Sequence, residues 1–261
     1  WRRRPDTCRG RFRRTTRRRR RSCSSRELLA LLLLTLVRGD LFDSWRNQAA
    51  PGAPNRFVIN IQPEQVGAVR DYLIGQGIAD VTLYPMARAR LMRIGGRVVS
   101  ADDYAGNDQD ARAKRLIERE FNLSSLAQLP PDNLVTAGRW SSTDGFSVEE
   151  GLAKTLNIQL GDELVFDAGG LPLSGRVTSL RKVEWDSFRV NFFVIAPPGA
   201  FNTLPQSFIT SFYLPKDRGA VLAGLVSAFP NITVIDVEQV MGELRGLLDR
   251  GAAAVQVIFL F

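Results

Sequence analysis

The chain has 261 residues, of which 44% are hydrophobic and 24% charged, ordinary globular proportions that exclude both a wholly disordered chain and a polytopic membrane protein. Its net charge of +8 is unevenly placed: residues 1–26 hold 13 Arg and one acid, Asp6, while the remainder carries 22 bases and 26 acids. There is no His, which removes imidazole bases, His triads and His metal sites. Both cysteines, Cys8 and Cys23, lie in the Arg-rich stretch, so the rest has no disulfide, thiol nucleophile or Cys metal cluster.

The leader, 1–27, lacks periodicity and reads as disordered. A basic arm for nucleic acid or anionic lipid is one reading; the first residue, Trp1 rather than Met, favours an artefact at a fragment's edge, with no nucleic-acid partner. Leu28 to Val37 (LLALLLLTLV) would span about 15 Å as a helix, half of a hydrocarbon core. Ala252 to Phe261 (AAAVQVIFLF) is a second short apolar run. Together they predict partial transmembrane helices with stalks, 28–48 and 238–261, at the two ends of a fragment of a larger membrane protein. Basic residues ahead of the first run put the intervening domain on the periplasmic or extracellular side of the inner (plasma) membrane. A secretory signal peptide is the competing reading, and no small-residue cleavage pattern follows promptly enough to favour it.

Pro51, Gly52 and Pro54 end the first stalk. RFVINI at 56–61 alternates as a strand, and Pro63 opens a helix with Val66, Val69 and Leu73 as its stripe before Gly75 and Gly77. VTLYP at 81–85 and ARLMRI at 89–94 are predicted as further strands. A similar unit stands near the end: FITSFYL at 208–214 is a strand, Pro215 opens a helix with Val221, Leu222, Leu225, Val226 and Phe229 facing a core, and ITVIDV at 232–237 is a strand. Two strand-helix-strand units predict an α+β fold, a split βαβ sandwich built from 55–94 plus 205–237. Residues 95–200 are predicted as an inserted β-rich subdomain. It holds helices at Asp110–Asn122 and Val148–Leu156, then a meander from 160. Val183 and Trp185 occupy odd positions and Phe188, Val190, Phe192 and Val194 even ones, so a bulge or tight turn belongs at Asp186 and Ser187.

Chemistry is sparse. The chain holds no GxxxxGK[ST], GxGxxG or GxSxG. Ser179 and Lys182 form an SxxK pair, but in a strand they point to opposite faces. Asp102, Asp103, Asn107, Asp108 and Asp110 resemble calcium ligands in composition only, and capping the next helix explains them better. Glu149 and Glu150 suit the start of a helix, and Asp162 and Glu163 a turn. Trp185, Phe188, Phe192 and Phe193 are read as core in preference to a lipid or apolar-ligand site. No residue is predicted to be catalytic, cofactor-binding or metal-binding.

GRW (138–140), EEGLAKTLNIQLGDELVF (149–166), VTSLRKVEWDSFRVNFFVIAPPG (177–199), ITSFYLP (209–215) and FPNITVIDVEQVM (229–241) together resemble the extracytoplasmic domain of FtsX/MacB-like ABC-transporter permeases, of the YbbP-type branch. The resemblance covers roughly 28–261. It implies a porter-like α+β subdomain interrupted by a β-rich one, with helices leading out of and back to the membrane. It also implies a separate ATPase subunit, the rest of the permease and membrane lipids as partners, and no enzymatic activity. The function so implied is to couple ATP-driven motion to export or extraction of a hydrophobic substrate. A secreted or membrane-anchored binding module and a Ser/Lys hydrolase are the alternatives from other classes.

Overall fold

The computed structural model describes residues 52–78, 81–104 and 108–260. The leader, the run Leu28–Val37 and its stalk lie outside them. The described residues up to Leu247 form one compact unit, and those from Leu248 belong to another.

Strand β1 (Arg56–Ile61) buries Val58 and Ile61. Pro63 fixes a 3-10 turn, Pro63–Gln65, that leads into helix α1 (Val66–Gly75), whose Val69 and Leu73 are buried. The next expected pair of strands is one: β2 runs unbroken over Tyr84–Ile94. Pro85, its second residue, does not interrupt it, and the Pro85 carbonyl accepts from Ser124 Oγ at 2.7 Å. Strand β3 (Arg97–Val98) folds back on the end of β2.

Two helix boundaries also differ from expectation. Helix α2 (Asp108–Ile117) stops five residues short of Asn122, because Phe121 and Leu123 alternate with exposed Asn122 and join a strand, β4 (Phe121–Ser125). After β5 (Asn133–Gly138), Val148 lies in β6 (Phe146–Glu149), and helix α3 (Glu150–Leu156) follows it. Glu149 sets that start: its carboxylate accepts from Gly151 N–H at 2.8 Å and Leu152 N–H at 2.6 Å, an N-cap.

A hairpin of β7 (Glu163–Ala168) and β8 (Leu171–Val183) comes next, then β9 (Val194–Ala196), β10 (Ser207–Phe212), helix α4 (Ala220–Ala228), β11 (Thr233–Asp236) and helix α5 (Val237–Leu260). Val226, expected in the core, is 40% exposed; α4 is short and directs Val221 and Leu225 inward instead. Among the described residues no helix is long and apolar enough to cross a membrane.

Strands run in the order β11-β1-β10-β2, all antiparallel, so that β10 lies between β1 and β2, a split βαβ arrangement. Val58, Leu73, Phe212, Val221 and Leu225 share one buried apolar cluster. From β2 the sheet continues through β4, β9, β6 and β8 to β5. β7 pairs with both β2 and β8. The pairs β2-β4-β9-β6-β8-β7 therefore close on themselves. Each of the six strands sends a side chain into one apolar interior: Leu91, Phe121, Val194, Val148, Val177 and Phe166. This is a small barrel filled by side chains. Its two parallel pairs, β4/β9 and β6/β8, are absent from the predicted meander.

The bulge or tight turn expected at Asp186 and Ser187 is a 3-10 turn, Trp185–Ser187, with Phe188 at φ 52°. Residues 188–192 are not a strand, as the alternation suggested; they form an outer layer in which Val190 and Phe192 are buried with Met86 and Ile195. A second change of face went unpredicted. Phe146 pairs with Val177 but Ser147 with Ser179, so Thr178 is a bulge. Val177 faces the barrel interior, whereas beyond the bulge Leu180 packs against that interior and Ser179 and Arg181 take the other face. Gly145, at φ +75°, is where the chain passes this bulge: a Cβ there would lie 2.2 Å from Thr178 Cγ2.

Candidate functional site

The residues singled out in the sequence do not converge. Ser179 is buried and its Oγ donates to Ser147 Oγ at 2.9 Å, while Lys182 is exposed on the other face of β8. Asp103 closes a capping box with Ser100: its Oδ2 accepts from Ser100 N–H at 3.0 Å, and Ser100 Oγ accepts from Asp102 N–H at 3.3 Å. Asn107 lies outside the described residues, and Asp108 and Asp110 open α2. Among the described residues no group of three His, Cys, Asp or Glu could hold a metal ion. Glu150 pairs with Lys154 one helical turn on, and that ammonium lowers the Glu150 carboxyl from its ordinary value. Asp162 accepts from Gln159 N–H at 2.8 Å in the turn before β7, where Glu163 is exposed.

The aromatic group is split. Phe192 is core and Phe188 half-buried. Trp185, 45% exposed, stacks on Phe193 with ring centroids 4.9 Å apart. The Arg119 guanidinium lies 5.2 Å from the Phe193 centroid and 5.6 Å from that of Phe121, a ring of the barrel interior, a cation–π arrangement.

Two polar clusters that carried no sequence signal hold the architecture in place. The first surrounds Arg181, which is fully buried. Its Nη2 donates to the Phe192 carbonyl, while Nε and Nη1 have no hydrogen-bond partner among the described residues. Burial pushes the guanidinium down to about 10 against the opposing pull of Glu149 and Asp132. Asp132 Oδ2 accepts from Ser187 Oγ at 2.6 Å and Asn191 Nδ2 at 2.7 Å, and Asn191 Oδ1 accepts from Asn133 Nδ2 at 2.7 Å. The cluster ties the 185–192 segment to the start of β5. A cation sealed this way positions backbone and meets no substrate. Because two of its donors are unpaired, Arg181→Met is expected to shift stability by less than about 1 kcal/mol in either direction, whereas Arg181→Ala, which leaves a cavity, is expected to cost about 3 kcal/mol. Urea denaturation of both variants checks the ordering.

The second cluster lies where β11 passes without a loop into α5. Buried Asn55 donates through Nδ2 to the Leu214 carbonyl at 3.0 Å and accepts at Oδ1 from Leu214 N–H at 2.8 Å. The same Nδ2 lies 3.4 Å from Glu238 Oε1. The first helical residue, Val237, donates its N–H to the Asn55 carbonyl at 3.1 Å. Arg56 pairs with Asp236 at 2.9 Å, and Lys216 with Glu238 at 3.2 Å. Thus β1, the end of β10 and the base of α5 are locked together.

No family model matches the chain. It is 37% identical over 233 residues to YbbP, an uncharacterized ABC transporter permease of Escherichia coli strain K12, a match that takes in 89% of this chain and 28% of that protein. The chain therefore spans little more than a quarter of the length of this curated relative. Among solved structures it is similar to a domain of a Porphyromonas gingivalis protein assigned as a permease, with 9% identity and a TM-score of 0.36, covering 70% of this chain and 90% of that domain. The resemblance to ABC-transporter permeases of the YbbP type read from the sequence is borne out by the first of these matches, in which 89% of this chain is similar to a part of YbbP.

Proposed function

We propose that residues 52–247 form the extracytoplasmic domain of an ABC permease, divided into a porter-like subdomain, 55–94 plus 205–237, and a β-rich insertion, 95–200. A separate ATPase subunit hydrolyses ATP. This chain takes up the resulting motion through α5 and uses it to export or extract a hydrophobic substrate across the inner (plasma) membrane, together with the remaining transmembrane part of the permease. No catalytic residue, cofactor or metal is assigned to the domain. The identity to YbbP over 233 residues carries this reading. The lock of Asn55, Arg56, Asp236 and Glu238 at the base of α5 supports the coupling role, since force on that helix would reach β1 and β10 directly.

A flexible Gly-Ser segment inserted after Arg250 in the full-length permease, co-expressed with its ATPase, is expected to abolish substrate-dependent stimulation of ATP hydrolysis and transport at normal expression. Retained stimulation and transport would reduce α5 to a tether. Failure of any ATPase to co-purify with the full-length protein would sink the permease reading itself.

A further inference from the structure

We propose that the outer edge of β5, with the cleft beside it, receives an extended strand of a partner protein that carries acidic residues at alternate positions. β5 ends the strand order, and among the described residues it pairs with β8 alone. Leu134 to Ala137 make no further backbone hydrogen bond there. In an antiparallel ladder about half of a strand's N–H and C=O groups point away from its partner, so this edge presents unpaired backbone groups in strand geometry. Free edges are normally blunted by charge, proline, shortness or a bulge. The opposite end of the sheet obeys that rule: β11 has four residues, contains Asp236 and passes straight into α5. β5 has a bulge at Thr136 as its one such device. It reads NLVTAG, without a charge or proline, and its Leu134 is 67% exposed, the most exposed large apolar residue described.

The surroundings say what the added strand should carry. A cleft of about 330 Å³ lies between β5 and α3, lined by Thr136, Ala137, Leu180, Ala153, Lys154 and Asn157 among others. Its floor is apolar. A bulge between Val135 and Ala137 bends β5 at Thr136 beside it. Lys182 is the direct cross-strand neighbour of Leu134 and is exposed. Lys154 pairs with Glu150, whose carboxylate also attracts Lys182, so two cations stand against that one carboxylate beside the cleft. A strand paired on β5 would project every second side chain over this face, carboxylates toward Lys182 and Lys154, and the apolar ones between them would lie over the opposite face beside Val135.

The test uses the full chain and two synthetic seven-residue peptides, one alternating Val with Glu and one alternating Val with Lys, followed by fluorescence anisotropy. The Glu peptide is expected to bind saturably and at least about tenfold more tightly than the Lys peptide, with affinity falling as salt is raised. Lys182→Glu is expected to reverse the preference, and Leu134→Asp, which adds a carboxylate to the same face, to weaken the Glu peptide and not the Lys peptide. Both positions are exposed, and unchanged circular dichroism confirms that the variants fold. Absence of saturable binding of the Glu peptide up to about 1 mM, equal binding of the two peptides, or indifference to Lys182→Glu would each overturn the proposal. Self-association of the chain that disappears in Leu134→Asp would assign the edge to a second copy and overturn it equally.

Discussion

Replacing Gly145 by alanine is expected to lower stability by about 3 kcal/mol, a fall in Tm on the order of 10 °C for a domain of this size. Two separate effects combine. The residue sits at φ +75°, where a Cβ meets the following carbonyl at a cost of about 1–2 kcal/mol. The added atom would also lie 2.2 Å from Thr178 Cγ2 and 2.7 Å from the Arg176 carbonyl, so β8 would have to move at the bulge that turns its face. Gly161 separates the two effects. It has φ +90° but nothing within 4 Å of where a Cβ would stand, so Gly161→Ala is expected to show the backbone cost alone, about 1 kcal/mol. Thermal unfolding of the two variants side by side makes the comparison. Equal losses would mean that Thr178 does not press on Gly145 and that the bulge is free to shift.

The sequence made the end units legible because their signals are local. Val66, Val69 and Leu73 recur at helical spacing, and Pro63 and Pro215 sit where a helix can begin. In β1 the strand was legible but not its face: Val58 and Ile61 are buried where Phe57, Ile59 and Ile61 were expected to alternate, because Asn60, at φ 63°, shifts the register between them. The bland reading of Glu149 as a helix start rests on equally local hydrogen bonds, whereas Asp103 caps the 3-10 turn Ala101–Asp103 and not the helix that follows. The ring of strands was not legible for the opposite reason. Leu123 meets Val194, and Phe146 meets Val177, in register, and no periodicity within either segment encodes a parallel partner so distant in the chain. Arg181 shows the same limit. Strict alternation along β8 would set Val177 and Arg181 on one face, and only the extra residue Thr178 moves Arg181 to the outer layer under Phe192. Helix α2 was overrun because Phe121 continues the four-residue spacing of Ala113 and Ile117, and only Leu123, two residues further on, marks a strand; pairing with Ala89 and Ala87 decides it.

Asn55→Ala is expected to cost about 2–3 kcal/mol, as one truncation strips partners from both backbone groups of buried Leu214 and leaves them unsatisfied. Lys216→Ala, by contrast, removes an ion pair to Glu238 whose lysine side chain is 82% exposed, and is expected to change stability by no more than about 0.5 kcal/mol. The pair of variants asks which contact holds the base of α5: the amide inside the fold or the ammonium on its surface. Hydrogen exchange gives the sharper reading. Leu214 N–H has the Asn55 carboxamide as its acceptor, so its protection should collapse in Asn55→Ala and persist in Lys216→Ala. Protection of the Val237 amide, which donates to the Asn55 main-chain carbonyl, should weaken only as far as β1 loosens. A Leu214 amide that stays protected in Asn55→Ala, together with a stability loss no larger than that of Lys216→Ala, would show that β11 alone carries α5. Force on the helix would then reach the sheet through the four residues Thr233–Asp236 and their ladder to β1, without the side-chain lock.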